Sequence, residues 1–264
     1  MRTKIIGIFL IFIGIAGLVL PVIPGILLIM AGILLFSKNR ATIDWAWIKN
    51  ELMAREKIDA NDYSDRGVAI SRSLDECLVK AKTLSKPDYM HAVKKITAVG
   101  TDFIELEGGI RFSSGKISEY IKGASHMVII LTTIGEKIEN AASVLTKGKE
   151  PLEGYLLDRI GSFAVESLTD AVEKKIRKDY SMLKRSVSRR YSPGYCDWPI
   201  EEQRILAKIL DFSKIGVSLT ESCMMHPKKS ISAVVAIADK GVFTEFGSTC
   251  EICKKEDCSY RRDN

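Results

Sequence analysis

The sequence predicts an α+β fold in which helices cover an antiparallel sheet. Two pairs of strand-like segments are each joined by a short connection, and one long amphipathic helix lies between the pairs. Neither a regular βαβ repeat nor a GxGxxG loop is present, which disfavours a parallel α/β fold. With 264 residues, 46% of them hydrophobic, the chain is long enough for one sizeable domain and an accessory segment.

The strand-like segments are rich in β-branched and aliphatic residues. Their bounds are 94–106, 110–112, 124–133, 217–220 and 230–238. Gly108 and Gly109 separate the first two segments and favour a tight turn. The last two flank residues 224–229, which predicts a second hairpin.

Apolar residues at helical spacing predict four helices. Their bounds are 73–83, 136–145, 152–180 and 200–210. The third is the longest, and its apolar stripe consists of Ile160, Phe163, Ala164, Leu168, Ala171 and Val172. Pro199 and an acidic first turn open the last helix, as the helix dipole favours.

Residues 5–37 contain no charged side chain and are almost wholly aliphatic, aromatic or glycine, which is typical of a membrane-inserted segment. One straight helix of this length would extend roughly 48 Å, well beyond a hydrocarbon core of roughly 30 Å. Pro21, Pro24 and Gly25 interrupt the run near its middle. Residues 1–40 are therefore predicted to form a helical membrane hairpin, which either spans a thinned bilayer or penetrates without crossing it.

Basic residues flank both ends of this segment, so both ends are expected on the cytoplasmic side, with the soluble domain in the cytoplasm. Through Pro21, Pro24 and Gly25 the segment also resembles a small family of membrane proteins named for a Pro-Gly-Pro-Gly-Trp motif. The alternatives are a buried core helix and a secretory signal. The second is disfavoured because the apolar run is too long and lacks an Ala-x-Ala site.

The charge of the chain is +6, from 39 basic and 33 acidic residues. No continuous basic stripe is present, so the charge pattern argues against a nucleic-acid partner and instead suits an anionic membrane lipid surface.

Three of the six cysteines, Cys250, Cys253 and Cys258, form a C-x2-C-x4-C pattern within the tail at 246–264. We expect this tail to bind an iron-sulfur cluster or zinc, with free thiols as the alternative. Both metal groups normally take four ligands. The fourth would come from Cys196, Cys223, His226, a small molecule or a partner.

Four sequence blocks share their order and spacing with one known family. They are 131–136 (LTTIGE), 157–166 (LDRIGSFAVE), 190–203 (RYSPGYCDWPIEEQ) and 219–232 (LTESCMMHPKKSIS). Together they resemble the activation domain of cobalamin-dependent methionine synthase, and the Arg-x-x-Pro-Gly-Tyr core of the third block resembles that family's S-adenosylmethionine signature. The resemblance covers most of residues 67–245, which we assign to this domain. Residues 41–66 are expected to be a linker, because their Asx and Ser residues favour turns over regular structure.

The resemblance implies a binding site for S-adenosylmethionine around the third block. The planar fork of Arg190 can hold the ligand's carboxylate with two parallel hydrogen bonds. Pro193 and Gly194 let the backbone approach the ligand closely. Tyr195 offers an aromatic face to the sulfonium.

The ammonium and sulfonium of such a ligand need a carboxylate nearby. Glu166 and Asp170 lie four residues apart on one face of the long helix and are the candidates, with Asp170 preferred because the family has an acidic contact at about this position. The family's other acidic contact has no match that the sequence identifies.

In the family this domain presents S-adenosylmethionine to inactive cob(II)alamin, and reduction coupled to methyl transfer restores methylcobalamin. The chain has no room for the substrate barrels and no Asp-x-His-x-x-Gly motif of a cobalamin module. The resemblance thus implies an auxiliary component rather than a complete methyltransferase. Its partners would be a corrinoid protein or methionine synthase core and a reductant or electron-transfer protein. The alternative is a membrane-tethered module that senses S-adenosylmethionine without catalysis.

Overall fold

The structure, a computed structural model, describes residues 41–59 and 61–243. Apart from residues 41 and 42, these belong to one compact unit that begins at Ile43. The predicted membrane hairpin at 1–40 and the tail with Cys250, Cys253 and Cys258 lie outside the described residues. Within the described ranges no helix is both long and apolar enough to cross a bilayer.

Six α-helices and eight strands make up the described part of the chain. The helices are α1 (Trp45–Arg55), α2 (Asp65–Leu84), α3 (Gly115–Tyr120), α4 (Lys137–Lys147), α5 (Pro151–Met182) and α6 (Gln203–Leu210). The strands are β1 (Asp88–Val99), β2 (Phe103–Leu106), β3 (Ile110–Ser113), β4 (His126–Thr133), β5 (Arg185–Val187), β6 (Ser218–Leu219), β7 (Met225–His226) and β8 (Ser230–Asp239). Short 3-10 turns at Ile200–Glu202 and Phe212–Ile215 flank α6.

The main sheet has six strands in the order β3-β2-β1-β4-β8-β5, and every neighbouring pair is antiparallel. This confirms the predicted α+β class. The turn at Gly108 and Gly109 joins β2 to β3, and both glycines have a positive φ. The predicted strand at 94–106 is interrupted, because the chain bends between β1 and β2.

The second hairpin was predicted with the wrong partner strand. β6 pairs with the short β7, whereas β8 enters the main sheet between β4 and β5. Almost every residue of β8 is buried. A strand buried on both faces has a near-continuous apolar sequence, which distinguishes it from the exposed strands of a surface hairpin.

Helices cover both faces of the central strands. On one face Met127, Ile129 and Leu131 of β4 pack in a core with α6 and Trp198. On the other face Val128 lies against Val172 of α5. Because alternate residues of a strand point to opposite faces, β4 and β8 form the middle of a three-layer arrangement.

The expected linker at 41–66 is not irregular throughout, because it contains α1. Ile48 and Leu52 of α1 are buried, and Trp47 meets Phe163 of α5 edge-on, with ring centroids 6.0 Å apart. Ala46, Asn50 and Ala54 form the exposed side of the helix. A single apolar side over three turns gives only a weak sequence signal.

Candidate functional site

The chain that follows β5 continues along the edge of β8. Tyr191 exchanges two backbone hydrogen bonds with Val234, at 2.9 and 2.8 Å. Tyr191 is buried and stacks on Tyr120, with ring centroids 6.0 Å apart, and burial raises the pKa of Tyr191 to about 12. Since neighbouring residues of an extended chain point to opposite faces, Arg190 is directed to the other side, toward α5.

Arg190 lies among three carboxylates of α5. Its Nη2 donates to Glu166 Oε2 and its Nη1 donates to Asp170 Oδ1, both at 3.0 Å. The Nη1 atom is also 3.6 Å from Glu173 Oε2. The Arg190 side chain is only 16% exposed, whereas about a third of Glu166 and of Asp170 remains accessible.

The structure therefore brings together the arginine and the two acidic residues that the sequence singles out. Their arrangement differs from the expected one in one respect. The fork of Arg190 was expected to face a ligand carboxylate, but both of its terminal nitrogens here meet carboxylates of the protein.

Glu173 and Arg177 also belong to this cluster, and neither was predicted from the sequence. Arg177 donates to Glu173 at 2.6 Å and also to the backbone oxygens of Val187 and Ser188, at 2.7 and 2.6 Å. It thus fixes the backbone from which Arg190 projects. The signal was present in the sequence, because positions 166, 170, 173 and 177 recur at the spacing of a single helix face.

Pro193, Gly194 and Tyr195 form a tight turn directly after this segment. Gly194 has φ +90, and its N–H donates to the backbone oxygen of Trp198 at 2.8 Å. A Cβ at this position would approach Ile200 Cδ1 at 3.2 Å, so glycine satisfies both the backbone angle and the close packing. Pro193 is buried, whereas the Tyr195 side chain is 54% exposed and faces solvent.

Asp197 fastens this turn to the start of α3. Its carboxylate accepts from the Ser114 hydroxyl at 2.6 Å and from the Lys116 N–H at 3.0 Å. Burial alone would raise the pKa of Asp197, but these hydrogen bonds outweigh it and lower the pKa below the ordinary 3.8.

The other blocks meet at the adjoining end of β4 and β8. Thr133 and Ser230 hydroxyls lie 2.9 Å apart, which joins the first block to the fourth. Lys229 Nζ donates to Ser162 Oγ at 2.8 Å and pairs with Asp158 at 2.7 Å, which joins the second block to the fourth.

The side chain of Gln203 joins the third block to the fourth. Its Nε2 donates to the Cys223 oxygen and its Oε1 accepts from Ser232 Oγ, both at 3.0 Å. Gln203 is buried, and these two hydrogen bonds offset the free-energy cost of removing its amide from water. Together with the ion pairs of Arg190, the contacts place all four blocks in one region of the fold.

The hairpin β6-β7 divides its two methionines between core and solvent. Met225 packs against the core, whereas Met224 is 59% exposed. His226 lies 3.7 Å from carboxylate oxygens of Glu136 and Glu139. Between residues 41 and 243, leaving out residue 60, no cluster of three His, Cys, Asp or Glu side chains could hold a metal ion.

A family described as vitamin B12 dependent methionine synthase, activation domain, has a profile that matches residues 117–251, just over half of the chain. The chain belongs to this family. All four blocks lie within the matched residues. So do the five charged side chains that are together called the Arg190 cluster: Glu166, Asp170, Glu173, Arg177 and Arg190. No curated protein matches the chain.

A solved structure shows the same fold. The crystal structure of the MetH reactivation domain bound to AdoHcy is similar with a TM-score of 0.52 and 17% sequence identity, over 80% of this chain and 77% of that one. The similarity is that of an α+β fold with an antiparallel sheet and helices, as the sequence predicts.

Replacement of Asp197 by Asn should destabilise the protein at neutral pH by about 1 kcal/mol, a small value because the side chain is largely exposed. The folded-state pKa is lowered, so the charge stabilises the fold above the unfolded-state pKa. This stabilisation is lost as the pH falls through the folded-state value. Urea unfolding at several pH values measures it.

Glu119→Gln is a matched control, because Glu119 is an exposed carboxylate of α3 itself. A difference between wild type and Asp197→Asn that stays constant down to strongly acidic pH would contradict the assigned role of the charge.

Proposed function

We propose that this chain binds S-adenosylmethionine through its amino-acid group at the Arg190 cluster and supports reductive remethylation of cob(II)alamin on a separate corrinoid protein. The observation that carries the proposal is the arrangement of Arg190 between Glu166 and Asp170, inside the family's signature region. Support also comes from the AdoHcy bound to the MetH reactivation domain.

The cluster suits a zwitterion, which can exchange with an existing ion pair. An α-amino acid group carries one carboxylate and one ammonium. When the ligand carboxylate takes the place of Glu166 or Asp170 at Arg190, the released protein carboxylate receives the ammonium. Arg190 keeps a carboxylate partner for each terminal nitrogen, and the released carboxylate gains the ammonium, so no charge is left desolvated without a partner.

Glu173 and Arg177 would keep Arg190 in place during this exchange. Glu173 is as little exposed as Arg190 and lies on the side of Arg190 next to Arg177. Glu173 thus stays beside Arg190 while one of the two more exposed carboxylates, Glu166 or Asp170, turns to the ligand ammonium. Preorganisation of this kind lowers the cost of binding.

The charge of the cluster also favours the methyl donor over its product. Glu166, Asp170 and Glu173 oppose Arg177 and Arg190, so these five side chains sum to −1. S-adenosylmethionine has a net charge of +1 because of its sulfonium, whereas AdoHcy is neutral. A donor that binds more tightly than the product helps the site to exchange one for the other.

The chemical step requires a partner and an electron. One electron reduces cob(II)alamin to cob(I)alamin, whose cobalt takes the methyl group from the sulfonium. The products are methylcobalamin and AdoHcy. The role of this chain is to hold the donor so that its methyl group faces the cobalt, while the reductant and the corrinoid come from other proteins.

Arg190→Lys should weaken S-adenosylmethionine binding at least tenfold, or about 1.4 kcal/mol, because an ammonium keeps the charge but loses the bidentate fork. Titration calorimetry measures the affinity. Arg204→Lys is the matched control, since Arg204 is an exposed arginine that donates to the Glu221 oxygen nearby. Unchanged affinity in a folded Arg190→Lys protein would contradict the site.

Arg190→Ala would be a poorer test. It would leave three neighbouring carboxylates without the guanidinium that lies among them, so we expect a loss of stability of about 1–3 kcal/mol as well as of binding.

S-adenosylmethionine should bind several-fold more tightly than AdoHcy, and the ratio should fall as salt is raised, because the difference is electrostatic. Asp170→Asn removes one negative charge and should reduce the ratio in the same calorimetric measurement. A ratio that is independent of both salt and Asp170 would rule out charge as its cause.

The remethylation step is tested anaerobically, with a cob(II)alamin-loaded corrinoid protein, a reductant and S-adenosylmethionine with a labelled methyl group. Addition of the full chain should accelerate the appearance of label on cobalamin. The alternative function, a membrane-tethered sensor of S-adenosylmethionine, would bind the ligand with normal affinity and leave the rate unchanged.

An iron-sulfur cluster or zinc at Cys250, Cys253 and Cys258 stays a prediction from the sequence, and an iron-sulfur cluster there would suit the electron that the reaction needs. None of the steps above depends on it.

A further inference from the structure

The C-terminal end of α5 exposes an adjacent pair of large apolar side chains. Met182 and Leu183 are 69% and 68% exposed. Among the strongly exposed large hydrophobic residues of the described ranges, they are the only two that are neighbours in sequence. Isolated exposed apolar residues are ordinary, but a contiguous apolar surface indicates a contact.

The same end of the helix is strongly basic. Residues 173–185 contain six basic and two acidic side chains, a net charge of +4 out of +6 for the whole chain. Lys174, Lys178 and Met182 recur every four residues and therefore share one face of α5, and all three are exposed. Lys184, directly after Leu183, is exposed as well.

Helix α1 lies along the first half of α5. The Asp44 N–H donates to Ser167 Oγ at 2.8 Å, and Tyr155 donates to Glu56 Oε2 at 2.7 Å. Helix α1 thus runs antiparallel to α5, and its N-terminus points toward the end of α5 that bears Met182. From Ser167 to Met182 the helix rises by about 22 Å.

We propose that Lys174, Lys178, Met182, Leu183 and Lys184, together called the α5 tip, contact the headgroup region of an anionic phospholipid bilayer. Methionine and leucine would enter the interface, and the lysines would meet lipid phosphates while their aliphatic stems lie along the apolar boundary. Residues 5–37 of the same chain form the uncharged run that the sequence predicts to be membrane-embedded.

Lipid fits the tip better than a protein surface does. Lysine is depleted from protein interfaces, and two apolar side chains cover far less area than a stable protein contact needs. A weak lipid contact suffices if the predicted membrane segment holds the same chain at the bilayer, because the second contact is then intramolecular. Juxtamembrane lysines are also attracted by anionic headgroups.

The test uses the full chain in nanodiscs, either of phosphatidylcholine alone or of phosphatidylcholine with phosphatidylglycerol. Amide hydrogen exchange is measured for peptides that cover residues 180–186. At low salt we expect exchange at least fivefold slower in the anionic discs than in the neutral ones. The triple variant Lys174→Ser, Lys178→Ser, Lys184→Ser should lose this difference, and Met182→Ser with Leu183→Ser should reduce the protection in anionic discs.

A matched control removes equivalent groups elsewhere. Val144 and the lysines at 137, 147 and 149 are exposed on or beside α4. Their replacement by serine should leave exchange at 180–186 unchanged. Equal exchange in the two kinds of disc, or protection that persists in the triple variant, would overturn the proposal.

Protection that appears only on addition of a corrinoid protein would likewise overturn the lipid assignment. The outcome does not depend on the proposed ligand site, because the α5 tip variants leave the Arg190 cluster intact. Their affinity for S-adenosylmethionine in the same calorimetric assay should be that of the wild type.

Discussion

The ion pairs between Arg190 and the carboxylates of α5 join the two parts of the fold on which the site depends. Arg190 is fixed at the edge of β8 through the backbone pairing of Tyr191 with Val234. Its guanidinium pairs with Glu166 and Asp170 of α5. Arg177 of the same helix donates to the backbone oxygens of Val187 and Ser188, just before Arg190 in the chain. Because the carboxylates lie on α5 and Arg190 directly precedes the bridge between Tyr191 and β8, the charged groups have little freedom to separate, and the site is preorganised.

The contacts around this link explain why four blocks far apart in the sequence have the residues they have. Gln203 and Lys229 are buried polar side chains whose partners all come from other blocks. Gly161 lies beside Lys229, where a Cβ would come 3.3 Å from Lys229 Cε and 2.9 Å from Ile138. A larger residue there would displace the lysine. The blocks therefore maintain a shared architecture as well as a ligand site.

Much of the fold follows from local signals. The periodicity of α5, the Gly108-Gly109 turn and the alternation of strands and helices suffice to predict an antiparallel α+β domain. The partner of β8 does not follow, because its near-continuous apolar sequence indicates burial on both faces but not which strand lies beside it. Helix α1 was missed because its stability comes from tertiary contacts such as that of Trp47 with Phe163, which no local pattern contains.

The members of the site were easier to predict than their geometry. Arg190, Glu166 and Asp170 follow from the resemblance and from helical spacing, and the structure places a terminal nitrogen of Arg190 3.0 Å from each of the two carboxylates. The pairing of Arg190 with the two carboxylates depends on the tertiary structure, which brings Arg190 against α5. It changes the expected binding event from capture of a free zwitterion into exchange with an existing pair.

A crystal structure of the full chain with S-adenosylmethionine tests this exchange most directly. We expect the ligand carboxylate at Arg190 and its ammonium at Glu166 or Asp170, with at least one of the two Arg190 ion pairs opened and Glu173 still beside Arg190. A ligand bound elsewhere, with both pairs of Arg190 intact, would contradict it.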